Sequence, residues 1–149
     1  MGDAPARAAP ALQPGQTFRC TIPLRWGDMD ALNHLNNTIY FRLMEEARIQ
    51  LFHASSMNVQ PRNQYAILAH ASCDFRKPLV YPATTVVTHH VTRVGRSSLT
   101  FHLVIENEAE PGLEHASGSN VLVWVDAESG RALPWPEHVL AALAKTFGA

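Results

Sequence analysis

The chain has 149 residues, of which 46% are hydrophobic and 17% charged. That composition supplies one packed core and excludes wholesale disorder. Twelve Lys and Arg against thirteen Asp and Glu give a formal net charge of −1, which excludes a nucleic-acid binder held by a basic face, because backbone phosphates demand clustered positive charge.

Residues 1–16 (MGDAPARAAPALQPGQ) are rich in Ala and Pro and contain no apolar core of a secretory signal. Pro5, Pro10 and Pro14 remove backbone donors and fix φ. We read this stretch as a flexible lead-in and residues 17–149 as a single domain. Thr17 to Trp26 alternates, with Phe18, Cys20 and Ile22 on one side, which predicts a strand. A polar, turn-like stretch follows to Asn37. From Thr38 to His53, Tyr40, Leu43, Met44, Ala47 and Leu51 recur at three- and four-residue steps, which predicts a helix with one apolar face. Phe41, Ile49 and Phe52 lie off that stripe, so the helix is expected to be enclosed on more than one side. Asn36, Asn37 or Thr38 can cap it.

Strands are then expected at Tyr65–Arg76, Thr84–Val94, Ser97–Glu108 and Glu114–Asp126, with turns at Gly95-Arg96, Glu110-Pro111-Gly112 and Glu128-Ser129-Gly130. The last three strands form an antiparallel meander. A short helix over Pro136–Phe147 closes the chain, with Pro136 near its start. The fold class is therefore α+β, a five-stranded antiparallel sheet around one long helix, because the sheet's apolar face needs a covering layer.

No apolar run approaches the roughly 20 residues of a bilayer-spanning helix. Cys20 and Cys73 are too few for a disulfide framework and lack zinc-ligand spacing, and they read as buried, reduced thiols of a cytoplasmic protein. His89 and His90 are adjacent on a strand and point to opposite faces. His70 and His102 are isolated, and His115 and His138 lie near element ends, so no metal site is expected. Trp124 and Trp135 read as packing residues or interface anchors. No Gly-rich phosphate loop is present.

The densest polar cluster is Arg25-Trp26-Gly27-Asp28-Met29-Asp30-Ala31-Leu32-Asn33-His34-Leu35-Asn36-Asn37. It joins a strand to a helix. A helix N-terminus offers unpaired N–H groups and a positive dipole end, which suit a carbonyl oxygen that gains charge. A carboxylate just upstream can attack a carbonyl or activate a water. The same residue types also build turns and caps, and the pattern alone leaves both readings open.

The segment, with Tyr40 and the tetrad Glu45-Glu46-Ala47-Arg48, resembles the hotdog-fold acyl-CoA thioesterases of the 4-hydroxybenzoyl-CoA thioesterase type. Their pattern is Asp-x-Asp, then His-x-Asn-Asn, then Tyr and an acidic helix. Here it is carried by Asp28, Asp30, His34, Asn36, Asn37, Tyr40 and Glu46, and the element order matches from Thr17 to Asp126. Asn33 stands where many members carry Gly, and Asn tolerates left-handed backbone better than most residues.

The resemblance implies a thioester hydrolase that releases free CoA and a carboxylic acid without a separate cofactor. It implies a catalytic set of Asp30, Asn37 and His34. Asp30 acts as nucleophile or general base, the Asn37 N–H polarises the carbonyl, and His34 and Asn36 shape the loop or touch the acyl group. Asp28 holds the turn. Glu45 and Glu46 are the rival carboxylates, because another branch of the fold uses a helix Glu; Glu46 can instead pair with Arg48 or Arg42. Asn36 and Tyr40 are implied to bind substrate, as are Arg93, Arg96, Ser97 and Ser98 at the hairpin that related enzymes use for the nucleotide end. Arg76 and Lys77 are a second cationic candidate. Met44, Met57, Tyr65 and Ile67 are expected to set pocket width. The implied assembly is a homodimer joined edge to edge, or a dimer of dimers, with sites shared between subunits. Two alternatives remain at this level: an acyl-carrier-protein thioesterase or hydratase of the same fold, and a non-catalytic acyl-CoA-binding module.

Overall fold

The computed structural model describes residues 11–57 and 63–148. The elements in chain order are β1 (Thr17–Pro23), a 3-10 turn (Trp26–Asp28), α1 (Asn37–Ala54), β2 (Gln64–Phe75), β3 (Thr84–Val94), β4 (Ser98–Asn107), β5 (Glu114–Asp126) and α2 (Glu137–Thr146). The five strands form one sheet in the order β1-β3-β4-β5-β2, and all neighbours are antiparallel. The chain order of strand, long helix and four strands is the one that the hotdog resemblance implies, and the last three strands form the expected meander.

The alternation of Phe18, Cys20 and Ile22 aims these side chains at the core, as expected. β1 stops earlier than its pattern suggests. Pro23 is its last residue, paired with Thr84. Leu24 N–H then donates to the Ala83 carbonyl at 2.9 Å, and the chain turns through the 3-10 segment. The inner strands β3 and β5 have the bounds that their sequences predict.

α1 lies across one face of the sheet. Tyr40, Leu43, Met44, Ala47 and Leu51 are buried, which is the predicted stripe, and Arg48 is buried with them. Full burial of each large apolar side chain stabilises the fold by about 1.5–3 kcal/mol. Met44 rests over Gly118 of β5, where an added Cβ would lie 2.9 Å from Met44 Cε. The expected enclosure of the helix on several sides is met only in part among the described residues, since Phe52 packs partly buried against the core whereas Phe41 and Ile49 are exposed. They flank an open edge, because among the described residues no strand pairs with the far side of β2.

α2 shares the sheet face with α1. Phe147, just after α2, packs on Phe18 and Phe101 at ring-centroid distances of 6.0 and 5.8 Å. Trp124 and Trp135 are both buried, with centroids 5.0 Å apart, so they pack on each other within the chain. Cys20 and Cys73 are free and only half-buried. Both lie on the outermost strands, and desolvation pushes each thiol up to about 11.

The described part of the lead-in is not free. Leu12 is buried in the core. Gly15 N–H donates to the Val91 carbonyl, and Val91 N–H to the Gln16 carbonyl, both at 2.9 Å. These bonds extend the β1–β3 ladder and hold residues 11–16 on the domain. Residues 1–10 lie outside the described residues. Thr17 also exchanges backbone hydrogen bonds of 2.8 and 2.9 Å with Gly148, which covers the start of the β1 edge. Among the described residues β2 has no such cover, and Tyr65, Ile67, Leu68 and Phe75 are exposed along it.

Candidate active site

The loop between β1 and α1 is built by its own polar groups. Asp28 is buried, and its Oδ2 accepts the Arg25 N–H at 2.8 Å. The Asp28 carbonyl accepts the Asn36 N–H at 3.0 Å. Asp28 therefore holds the turn. Asp30 closes a second, tighter turn. Its N–H donates to the His34 carbonyl at 2.8 Å. Its Oδ1 accepts the N–H groups of Leu32 and His34 at 2.9 and 3.2 Å. Asn33 takes the left-handed conformation between them, with φ of 59°, which Asn tolerates better than most residues other than Gly. The Leu35 N–H donates to the Leu79 carbonyl at 2.8 Å and docks the loop on the segment before β3.

Asn36 caps α1. Its Oδ1 accepts the Thr38 N–H at 3.0 Å and the Thr38 hydroxyl at 2.9 Å. Its side chain is thus engaged in the helix start. Asn37 is the first residue of α1, and the first N–H groups of a helix have no acceptor within it.

These elements enclose a cavity of about 280 Å³ lined by Asp30, Leu32, His34, Leu35, Asn37, Tyr40, Phe75, Arg76, Lys77 and Pro78. The cavity brings together Asp30, His34, Asn37 and Tyr40 of the sequence-predicted set. Among the described residues, Asp30 Oδ2 accepts no hydrogen bond, so one carboxylate oxygen is anchored and the other is unengaged. Tyr40 packs edge-on against Phe75, with centroids 5.0 Å apart. Burial pushes the Tyr40 hydroxyl up, a hydrogen bond with the Leu79 backbone acts the other way, and Cys73 and Asp30 add to the rise. Tyr40 is therefore a neutral wall of the cavity at pH 7. Phe75, Leu32 and Pro78 are lining residues that the sequence reading did not single out.

The cationic candidates fall in two places. Arg76 and Lys77 line the Asp30 cavity but are engaged on the surface. Arg76 Nε is 2.9 Å from Glu114 Oε2, and Lys77 Nζ is 3.3 Å from Glu110 Oε2. Arg93, Arg96, Ser97 and Ser98 lie at the β3–β4 hairpin. Ser97 supplies its carbonyl to Trp124 N–H at 2.9 Å and to Trp135 Nε1 at 2.8 Å, which packs the hairpin on the segment before α2. Arg93 and Arg96 are exposed and form no ion pair among the described residues. Within one chain this hairpin is not near Asp30. Pro23 lies opposite Thr84, so the Asp30 loop leaves the sheet at one end of β3 and Arg96 at the other. The strand between them spans about 33 Å.

The rival carboxylates stand apart from the Asp30 cavity. Glu46 accepts from Gln50 Nε2 at 3.2 Å and forms no ion pair with Arg42 or Arg48. Glu45 lines a different cavity, farther along α1. Among the described residues no group of three metal-ligating side chains occurs, and no helix is long and apolar enough to cross a membrane.

The sequence pattern of the thioesterase-like superfamily matches residues 24–143. The chain belongs to that superfamily. The uncharacterized protein YsmA of Bacillus subtilis (strain 168) is 30% identical over 131 residues, 87% of each chain. The PA2801 protein of Pseudomonas aeruginosa, itself provisionally assigned as a thioesterase, superposes with a TM-score of 0.79 at 34% identity, covering 88% of this chain and 99% of that one. Slr0204, a 1,4-dihydroxy-2-naphthoyl-CoA thioesterase from Synechocystis, superposes with a TM-score of 0.75 at 18% identity, over 85% of this chain and 95% of the other. That likeness speaks for the hotdog fold alone. Together the superfamily match and the shared fold give the chain a thioesterase-like framework.

Proposed function

We propose that this member of the thioesterase-like superfamily hydrolyses acyl-CoA thioesters at the Asp30 cavity. The observation that carries the reading is the state of Asp30. Its Oδ1 is anchored by two backbone N–H groups, its Oδ2 is unengaged, and it shares a cavity with the first residue of α1. The thioester carbonyl oxygen lies at the helix N-terminus, where the Asn37 N–H and the helix dipole stabilise the negative charge that develops there. Asp30 then attacks the carbonyl carbon or removes a proton from the water that does so. In either route the C–S bond breaks, the sulfur leaves as the CoA thiolate and takes up a proton, and water supplies the oxygen of the acid. His34 and Tyr40 wall the acyl side of the cavity. The nucleotide end of CoA meets Arg93, Arg96, Ser97 and Ser98, whose guanidinium and N–H groups suit phosphate.

The working unit is a dimer. Among the described residues β2 pairs only with β5, so its outer edge is open beside exposed Tyr65, Ile67 and Leu68, and such an edge is a template for pairing with another strand. A two-fold pairing of β2 with its copy continues the sheet and covers Phe41 and Ile49. Larger assemblies are stacked dimers.

Release of free thiol from a panel of acyl-CoA and acyl-carrier-protein thioesters tests the reading. Turnover of CoA thioesters in excess of carrier-protein thioesters is the expected result. Tight CoA binding with no thiol release from any member of the panel would reject hydrolysis and leave a binding module.

A further inference from the structure

A second cavity, also of about 280 Å³, lies between α1 and the β2–β5 edge, and its walls include Phe41, Met44, Arg48, Leu68, Ala71 and Asn120. It uses the same helix and strand as the Asp30 cavity. Tyr40 and Phe75 border the first. Met44, Arg48 and Ala71 border the second. Residues four apart on a helix stack along one face, so Tyr40, Met44 and Arg48 form a continuous stripe beside β2. Arg48 stands about 16 Å along α1 from Asn37. A chain that leaves the thioester and follows this stripe arrives at Arg48.

Arg48 is only 9% exposed. Buried charges are ordinarily paired, and this one touches no carboxylate among the described residues. Its Nη1 donates to Asn120 Oδ1 at 3.3 Å. Among the described residues it forms no ion pair within 4.0 Å. Asn120 is fixed by its own donations to the Ser119 carbonyl at 2.9 Å and to Met44 Sδ at 3.9 Å. On the core side the neighbour is His89, which burial keeps neutral and whose Nδ1 has no partner. Arg42 and Glu45 are at the exposed mouth of the cavity, and from there the Glu45 carboxylate acts on Arg48 without forming an ion pair with it. Glu45 therefore compensates the buried charge only from a distance, and among the described residues no carboxylate contacts the guanidinium, whose planar fork of five donors fits a carboxylate bidentately.

We propose that this cavity takes the far end of the acyl group and that Arg48 selects acyl chains that end in a carboxylate. The proposal rests on the thioesterase reading of the Asp30 cavity. The apolar walls supplied by Phe41, Met44 and Leu68 accommodate the methylene chain, and Arg48 and Asn120 set the end point.

The test compares CoA monothioesters of α,ω-dicarboxylic acids, from adipoyl to dodecanedioyl, with fatty acyl-CoAs of equal length. The wild-type protein is expected to favour the best dicarboxylyl thioester in kcat/KM by about tenfold or more, the worth of one charged hydrogen bond. Arg48→Met is expected to bring the ratio between the two series close to one. Arg48→Lys keeps a point charge but loses the fork, and retains part of the preference. A purely structural role would lower both series together and leave the ratio unchanged, and that result overturns the proposal. A wild-type preference for the fatty series overturns it as well, as does a weakened dimer as the only effect of Arg48→Met. If Arg48→Met does not fold, the wild-type ratio and Arg48→Lys decide. Calorimetric titration with free sebacate separates this proposal from the hydrolysis it rests on. Arg48-dependent sebacate binding without thiol release from any thioester keeps the carboxylate site and rejects hydrolysis. Thiol release from fatty acyl-CoA with no sebacate binding does the reverse.

Discussion

Asp30→Asn changes the chemistry of the candidate site while leaving its scaffold in place. Asp30 Oδ1 accepts the Leu32 and His34 N–H groups at 2.9 and 3.2 Å, and the Asn carbonyl oxygen can accept both. The amide nitrogen replaces Oδ2, which has no hydrogen-bond partner among the described residues, so no existing bond is lost. The melting temperature is therefore expected to stay close to wild type. Asp30→Ala loses both loop bonds. At about 1 kcal/mol for each exposed bond that is roughly 1–2 kcal/mol, a fall of about 2–8 °C for a domain of this size. Turnover should respond in another pattern. An amide neither attacks a thioester nor accepts a proton, so kcat is expected to fall about 10²- to 10⁴-fold in both variants. Thiol-release kinetics and thermal melts on the same samples give the two quantities. Near wild-type turnover in Asp30→Asn, together with loss of turnover in Glu45→Gln or Glu46→Gln, would move the chemistry to α1 and refute the assignment.

Gly118→Ala places a Cβ against the Ser72 carbonyl oxygen inside van der Waals distance and 2.9 Å from Met44 Cε, so both the β2–β5 ladder and α1 must shift; a loss of about 3 kcal/mol is expected in urea unfolding, and a midpoint equal to wild type would contradict it. His89 is pulled down to about 3 by burial, then by Arg48 and His90, which is below the roughly 6.5 of an unfolded His. The unfolded chain binds that proton first, so His89 costs no stability above about pH 6.5 and subtracts about 1.4 kcal/mol per pH unit as pH falls toward 3; His89→Leu should flatten that limb of the stability curve, and an unchanged slope would show that other groups set it. Leu12→Ala should cost about 2 kcal/mol because Leu12 is part of the core, and a change within a few tenths would return residues 11–16 to a free lead-in.

Most of the architecture is legible in the sequence because one-sided burial imposes a period. The α1 stripe and the bounds of β3 and β5 follow from residues that must alternate or recur to meet the core. Asn33 is legible for a local reason, since few residues other than Gly take its φ of 59°. What escapes the sequence is decided by tertiary contact. The Pro-rich segment that holds Leu12 reads as a tail because nothing local tells it that Val91 will pair with Gln16. β1 looks longer than it is because Arg25 and Trp26 continue its alternation, while the turn depends on Leu24 meeting Ala83. Arg48 falls on the buried stripe four residues after Met44, so its spacing was visible, but a charged residue there reads as surface. Burial of a guanidinium that touches no carboxylate among the described residues is a property of the cavity that the sheet edge completes, and no local pattern encodes it.

The separation of Asp30 from the β3–β4 hairpin bears directly on the proposed dimer. In one chain, Asp30 and Phe75 are at one end of the sheet, and Gln64 and the hairpin are at the other, since Gln64 lies opposite Asp126, and Val123 opposite both Ile67 and Ser98. Antiparallel pairing of two β2 strands about a two-fold axis reverses the partner's sheet. It carries the partner's Gln64 end, and with it the partner's hairpin, to the end that holds Asp30. β5 and β4 separate that hairpin from β2, so the lateral distance is about 10–15 Å, within the reach of an extended CoA. A site made this way draws Asp30 from one subunit and Arg93 and Arg96 from the other, and complementation exposes it. Asp30→Asn dimers should be inactive, and Arg93→Ala/Arg96→Ala dimers should show a raised KM that approaches wild type as salt screens the lost contacts in both proteins. Co-expressed as equal mixtures, the two variants form mixed dimers in which one site has both wild-type halves and the other has neither. With random two-fold pairing, about a quarter of wild-type activity should return at low substrate, where the Arg-deficient sites contribute least. Activity no greater than the sum of the separate variants, from samples shown to contain mixed dimers, would place Asp30 and its phosphate contacts on the same chain and would remove the hairpin from the site.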